Sequence, residues 1–224
     1  LKLSIVHKHM LSIEKSKDSV KTAPKPFNTS KLLQSASNLL HTNPGQTMSI
    51  CQKLYQNGYI TYMRTDSTKY APPFLDNASV YIKEKYGSEY VGNLDIIKNK
   101  DKNNPHEAIR VTNVGMYTIS STNSKEVSMY KLIYKNTIES CMATATCKSI
   151  TATITAPDNY CYKHSTEQIV FPGWKIVEGY EKDNAIFNYF QTLKKNSILE
   201  YKKIISKISM KNLKMHYTEA KLVQ

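Results

Sequence analysis

The sequence predicts an α+β chain, with a mostly helical block over residues 27–141 set between β segments. Three observations carry that expectation. Apolar residues recur at helical spacing at Leu32, Leu33, Ala36, Leu39 and Leu40, and again at Met48, Ile50, Cys51, Leu54 and Tyr55. Past Cys141 the period changes to two, with Ile150, Ala152, Ile154 and Ala156 alternating with threonines as a half-buried strand does. At 224 residues, 40% hydrophobic and 22% charged, the chain is long enough for one or two domains with a real core.

Residues 1–26 open on an alternation of Leu1, Leu3 and Ile5 that reads as a strand, followed by a lysine-rich polar stretch closed as a linker by Pro24 and Pro26. Ser30 is the candidate N-cap of the first helix, because its hydroxyl precedes the apolar run. His41 to Gly45 reads as a turn, and Gly58 suits the C-terminal cap of the second helix. Two short helices joined in this way have the outline of a helix-turn-helix, a shape also common in helical hairpins. Pro72 and Pro73 open a third helix through Tyr86, stopped by Gly87; residues 87–105 are loop-like, and a fourth helix covers Lys125 to Cys141. Pro157 to Asn159 forms a turn, and Tyr160 to Val177 supplies further strand broken at Pro172–Gly173. Residues 191–216 carry seven lysines against one glutamate, a charged linker or strand-and-loop region, and Tyr217 to Gln224 reads as the start of a helix. The domain expectation is therefore 1–26 as β and linker, 27–141 as helical, 142–180 as returning β strands, and 181–224 as a lysine-rich tail.

The formal charge of +13 points to a polyanionic partner, nucleic acid ahead of an acidic membrane surface. Four cysteines show neither a C-x-x-C pair nor histidine at zinc-ligand spacing, so free thiols in a reducing, intracellular compartment are expected. No apolar run reaches membrane-spanning length, and no signal segment opens the chain, so the sequons at Asn28 and Asn77 are not read as glycosylation sites. The chain starts at Leu1 rather than methionine, and a piece of a longer protein is expected.

Only two of the 31 basic residues are arginine, Arg64 and Arg110. Guanidinium is a planar fork that holds phosphate or carboxylate through two hydrogen bonds, which lysine cannot do. Both arginines fall in short polar runs: Gly58 to Ser67, which also holds Tyr62 and Asp66, and Pro105 to Arg110, which holds His106 and Glu107. Tyr62 is the candidate nucleophile. A phenol with an ordinary pKa near ~10 is a weak nucleophile at neutral pH, and a guanidinium two residues away assists it by neutralising a phosphate under attack. On spacing alone, His106 and Arg110 lie one helical turn apart and share a face, while a surface ion-pair cluster is the competing reading.

Pro26 to Leu32, Gln46 to Met48, Gln52 to Tyr55, Gly58 to Ser67, His106 to Arg110, Phe171 to Trp174 and Tyr217 to Val223 together resemble the type IA DNA topoisomerases, in that family's order. The resemblance implies that Tyr62 attacks a DNA phosphodiester and holds the strand as a 5′-phosphotyrosyl link. It implies that Arg64 stabilises the phosphate, that His106 hydrogen-bonds near it, and that Arg110 closes the motif. Asp66, Ser67 and Glu107 are supporting residues. The helical block would be the tyrosine-bearing domain, inserted into a β-rich arch that lets it swing for strand passage. Religation would need no ATP, and no G-x-x-x-x-G-K-[S/T] loop is present. The family also uses Mg²⁺ held by a Toprim domain; no D-x-D pair occurs here, so that domain is expected upstream and no metal ligand or other cofactor site in this chain. A strand-binding domain would follow Thr218-Glu219-Ala220, and Val111 stands where many members have proline. The expected partners are single-stranded or underwound duplex DNA and those other domains, with no membrane. The alternative is a non-catalytic nucleic-acid-binding remnant of the same fold. A tyrosine recombinase needs more arginines, and a replication nuclease needs a paired-histidine metal motif that is absent.

Overall fold

The computed structural model describes residues 2–100, 106–210 and 218–222. The chain divides into two compact units. A β unit comprises residues 1–21, 145–172 and 180–215; a helical unit comprises 22–144, 173–179 and 216–224.

The β unit holds α1 (Lys2–Val6), β1 (His9–Ile13), β2 (Lys17–Lys21), β3 (Ala145–Thr155), β4 (Cys161–Phe171), α6 (Ala185–Thr192) and β5 (Ile198–Leu199). The long strand β3 organises it. β4 runs antiparallel along one edge, while β2 and β1 pair in succession with the other, Lys21 opposite Ala145 and Ile13 opposite Ala152. β5 pairs with β1. Period-two burial puts Leu11, Ile13, Ile150 and Ala152 on one face, where Phe187 of α6 covers them. Asn184 caps α6 by accepting from the Ile186 and Phe187 amides.

The helical unit holds α2 (Thr29–Leu40), α3 (Pro44–Gln56), α4 (Pro72–Tyr86), α5 (Ser124–Ser140) and the single turn α7 (Glu219–Leu222). α5 is its axis: Met129, Tyr130, Ile133, Tyr134 and Ile138 are all buried, leaving little of its second half to water. The buried polar residues of α5 hold the two extended segments beside it. Asn136 accepts from the Phe27 amide at 3.0 Å and donates to the Lys25 carbonyl at 3.1 Å, and Thr137 accepts from the Val111 amide at 3.3 Å. Asn136 and Thr137 thereby keep the hydrogen bonds that their burial would otherwise cost.

Several elements depart from the sequence expectation. Residues 2–6 are helical, not a strand; Leu3, Ile5 and Val6 are exposed, so their spacing reports no buried face, and Leu1 lies outside the described residues. The lysine-rich stretch behind them contains β1 and β2, whose pairing with β3 outweighs a polar composition. The N-cap of α2 is Asn28, which accepts from the Lys31 amide at 2.9 Å, rather than Ser30. Residues Gly173–Val177 form a 3₁₀ turn instead of continuing the strand. Gly173 sits at φ 50°, and a Cβ there would stand 2.5 Å from the Ala143 and Thr144 carbonyls, a bend only glycine allows. The lysine-rich tail includes α6, too short to show a period, and β5. Tyr217, Val223 and Gln224 lie outside the described residues, as do Lys211, Lys214 and His216 of the 191–216 lysine run; α7 occupies the rest of the expected terminal helix. By contrast α4 spans Pro72–Tyr86 with Gly87 as its C-cap, and α5 lies within one residue of the expected bounds.

Candidate active site

Gly58, at φ 73°, turns the chain out of α3 with its amide donating to Tyr55 O at 2.9 Å. The next residues run extended, and their burial alternates. Met63 and Thr65 point inward, whereas Tyr62, Arg64 and Asp66 are exposed. In an extended chain alternate side chains take opposite faces, so Tyr62, Arg64 and Asp66 share the outward one.

This segment is stapled from both sides. Thr29, at the first position of α2, donates its hydroxyl to Met63 O at 2.8 Å and accepts from the Thr65 amide at 2.9 Å. On the other side the Thr61 amide donates to Arg110 O at 2.9 Å, and the Thr61 hydroxyl both donates to Ala108 O at 2.9 Å and accepts from the Arg110 amide at 3.0 Å. Ile60 and Val111 bridge antiparallel, as do Phe27 and Ile109.

Those bridges overturn the expected helical turn at His106–Arg110. The segment is extended, because the Ala108 and Ile109 amides donate to Lys69 O and Phe27 O and the Arg110 amide to the Thr61 hydroxyl, not to carbonyls four residues back. Pro105 lies outside the described residues.

A cleft of about 420 Å³ opens where the two segments meet. Tyr62, His106 and Glu107 line it, with Tyr55, Thr61, Thr65 and Thr112. Tyr62 is 43% exposed, and its ring meets Tyr55 edge-on at 5.3 Å. Three other tyrosines, Tyr70, Tyr130 and Tyr134, are buried. Burial drives the phenols of Tyr70 and Tyr134 far up and that of Tyr130 up to about 12. Burial likewise pushes the Cys51 and Cys141 thiols up to about 12, so neither is a nucleophile.

The two arginines are used in opposite ways. Arg64 is exposed and makes no hydrogen bond or ion pair among the described residues, so its guanidinium is available to an anion. Arg110 is committed: Nε and Nη2 donate to the two oxygens of Glu107 at 2.8 and 2.9 Å, Nη1 donates to Val111 O, and the guanidinium lies 4.0 Å over the Phe74 ring. Glu107 also accepts from the Ala71 amide at 2.7 Å. Its carboxylate is therefore occupied and is no general base. Asp66 and Ser67 do not line the cleft; Ser67 instead caps a local turn, accepting from the Lys69 amide at 3.2 Å.

The DNA topoisomerase family model matches residues 3–224. DNA topoisomerase 1 of Buchnera aphidicola (from Acyrthosiphon pisum) is 36% identical over 206 residues, 90% of this chain and 24% of that protein. DNA topoisomerase 1 of Helicobacter pylori J99 is 35% identical over 95% of this chain and 30% of its own length. Full-length topoisomerase I of Thermotoga maritima superposes with a TM-score of 0.66 at 31% identity, covering 88% of this chain and 33% of that one.

The chain belongs to the type IA DNA topoisomerases.

It spans about a quarter to a third of the length of these relatives. Members of the family act on DNA. Among the described residues no helix is long and apolar enough to cross a membrane, and no group of three or more His, Cys, Asp or Glu is arranged to hold a metal ion. The acids of the two segments do not fit Mg²⁺, since Glu107 is held by Arg110 and the Ala71 amide while Asp66 stands outside the cleft. Sequence reasoning overlooked Thr61, Thr65 and Thr112 in the cleft wall and Thr29 as the staple. Threonines are frequent in this chain, and only the long-range pairing marks these four out.

Proposed function

We propose that this chain is the nucleophile-bearing part of a type IA topoisomerase, cleaving and resealing one strand of single-stranded or underwound DNA through Tyr62. The observation that carries the reading is that Tyr62 and His106, distant in sequence, line one cleft while Arg64 stands free on the same outward face as Tyr62. In the step proposed, the Tyr62 Oη forms a bond to phosphorus as the P–O3′ bond breaks. The phenol gives up a proton and the departing 3′ oxygen takes one up. One phosphodiester is exchanged for another, so religation by the reverse path needs no ATP. Arg64 neutralises the charge that builds on the non-bridging oxygens, and His106 hydrogen-bonds to the same phosphate. Arg110 and Glu107 act through the backbone, fixing the segment that presents His106.

In this reading the helical unit is the tyrosine-bearing domain and the β unit belongs to the arch through which strands pass. Mg²⁺ would come with a Toprim domain outside this chain, and a strand-binding domain would complete the partner set. Three buried thiols and one exposed thiol, all free, support a reducing intracellular setting.

Covalent capture tests the reading. The chain, with a separate Toprim-containing piece and Mg²⁺, is mixed with single-stranded DNA labelled at its 3′ end and run on a denaturing gel. A shifted band that is lost in Tyr62→Phe is the expected result. No adduct in the complete mixture would favour the second reading, a non-catalytic, nucleic-acid-binding remnant of the same fold.

A further inference from the structure

The β unit carries more of the charge than its size accounts for. Its segments hold 15 lysines against seven carboxylates, a net +8 on 85 residues, whereas the helical unit has a net +5 on 139. The same unit leaves several aromatic rings open to solvent: Tyr162, Tyr201 and Tyr189 are each two-fifths or more exposed.

These features meet in one groove. Three hollows of about 410, 300 and 270 Å³ adjoin through shared walls. His9, Leu199 and Tyr201 line both the first and the second, and Ile154, Tyr162 and Leu199 line both the second and the third. The floor is firm. His9 is buried, with its ring nitrogens 2.7 Å from Thr155 O and 2.9 Å from Ser4 O, and the Tyr162 and Tyr201 rings both pack edge-on against it. Lys8, Lys203 and Lys163 line the first, second and third hollow, none of them in an ion pair among the described residues, and Glu200 is the one carboxylate lining any of the three.

We infer that this groove is a second nucleic-acid contact, separate from the Tyr62 cleft, that takes a single-stranded segment by stacking bases on Tyr201, Tyr162 and Tyr189 while lysines meet the phosphates. An apolar groove alone would suit a protein partner equally well. The lysine excess selects a polyanion, and the spaced aromatic rings select unpaired bases over duplex, because only unstacked bases offer a free face. Tyrosine and lysine read no base edge, so the contact is indifferent to sequence.

Photo-crosslinking tests this in the chain carrying Tyr62→Phe, so that covalent trapping at the cleft does not intervene. An oligothymidylate roughly a dozen nucleotides long, bearing 5-iodouracil, is irradiated with the protein, and the adducts are mapped by mass spectrometry. Adducts at Tyr162, Tyr201 or Tyr189 are expected. By fluorescence anisotropy, Tyr162→Ala and Tyr201→Ala each weaken binding about tenfold, while the phenylalanine variants, which keep the stacking face, bind like the parent. Replacing Lys203 and Lys163 with alanine makes the dependence of log affinity on log salt shallower by about 0.7 per lysine. Far-ultraviolet circular dichroism and the thermal midpoint establish that each variant is folded. Adducts confined to residues 22–144 would overturn the inference. So would phenylalanine variants that lose as much affinity as alanine, which would trace the effect to the Tyr162 hydroxyl and its bond to Ser4. Self-association through the groove without DNA adducts would overturn it as well.

Discussion

The Tyr62 segment and the His106 segment face one cleft yet are built on opposite plans. Residues 59–66 have a fixed backbone and free side chains: Thr29 and Thr61 hold the main chain, and Tyr62, Arg64 and Asp66 reach outward. Residues 107–111 have fixed side chains too. Ala108, Ile109 and Val111 are fully buried, and Glu107 and Arg110 bind each other in a two-point pair. The difference separates the two arginines by what surrounds them. A guanidinium left in water loses little by waiting for an anion, whereas one that is only 14% exposed must already have its partners.

Tyr62→Phe breaks the comparison at its most exposed point. If Tyr62 is the nucleophile as proposed, covalent adduct should fall below detection, while stability should change by no more than about 0.5 kcal/mol, because the removed hydroxyl has no partner among the described residues. Arg64→Ala should lower the rate of adduct formation and rejoining about 10²–10³-fold with stability likewise unmoved. Arg110→Ala should do the reverse in kind. It leaves the Glu107 carboxylate with the Ala71 amide alone and uncovers Phe74, costing about 2–3 kcal/mol by chemical denaturation. Equal stability losses in the two arginine variants would abolish the distinction drawn between them.

The support under the second segment is also pH-sensitive. Glu139 of α5, two residues beyond the Thr137 that holds Val111, is buried, and its carboxyl is pushed up to about 7 mainly by that burial, against the pull of Lys135. Its Oε1 has no hydrogen-bond partner among the described residues, and Lys135 is shared with Glu178 at 2.6 Å. Since the folded value exceeds the ordinary 4.5, the folded state holds the extra proton between those values. This contribution is full below pH 4.5 and is lost as pH rises through 7. The loss amounts to about 3 kcal/mol at most. Glu139→Gln should flatten that slope in urea titrations run from pH 4.5 to pH 8. A parent protein that is flat over this range would contradict the buried, protonated carboxyl. The smallest effect is expected at Thr29→Val, which strands the Thr65 amide and costs about 1–2 kcal/mol, with faster amide exchange at 63–66 as its local signature.

Much of this was legible in the chain itself. The periods of α2, α3 and β3, the proline opening and glycine stop of α4, and the clustering of both arginines in polar runs are local facts, set by side-chain spacing and by backbone preferences that need no distant partner. The composition alone asked for a polyanion. What tertiary structure decided is whatever depends on long-range pairing. β2 is a strand only because β3 lies beside it, and His106–Arg110 is extended only because Phe27 and Ile60 supply partners that a helical turn would have made redundant. Spacing likewise put His106 and Arg110 on one face, when in the fold His106 lines the cleft and Arg110 turns to Glu107 and Phe74. Sequence names the charged groups, but their freedom depends on desolvation and on which partner arrives from elsewhere in the chain, and both are set only when the core closes.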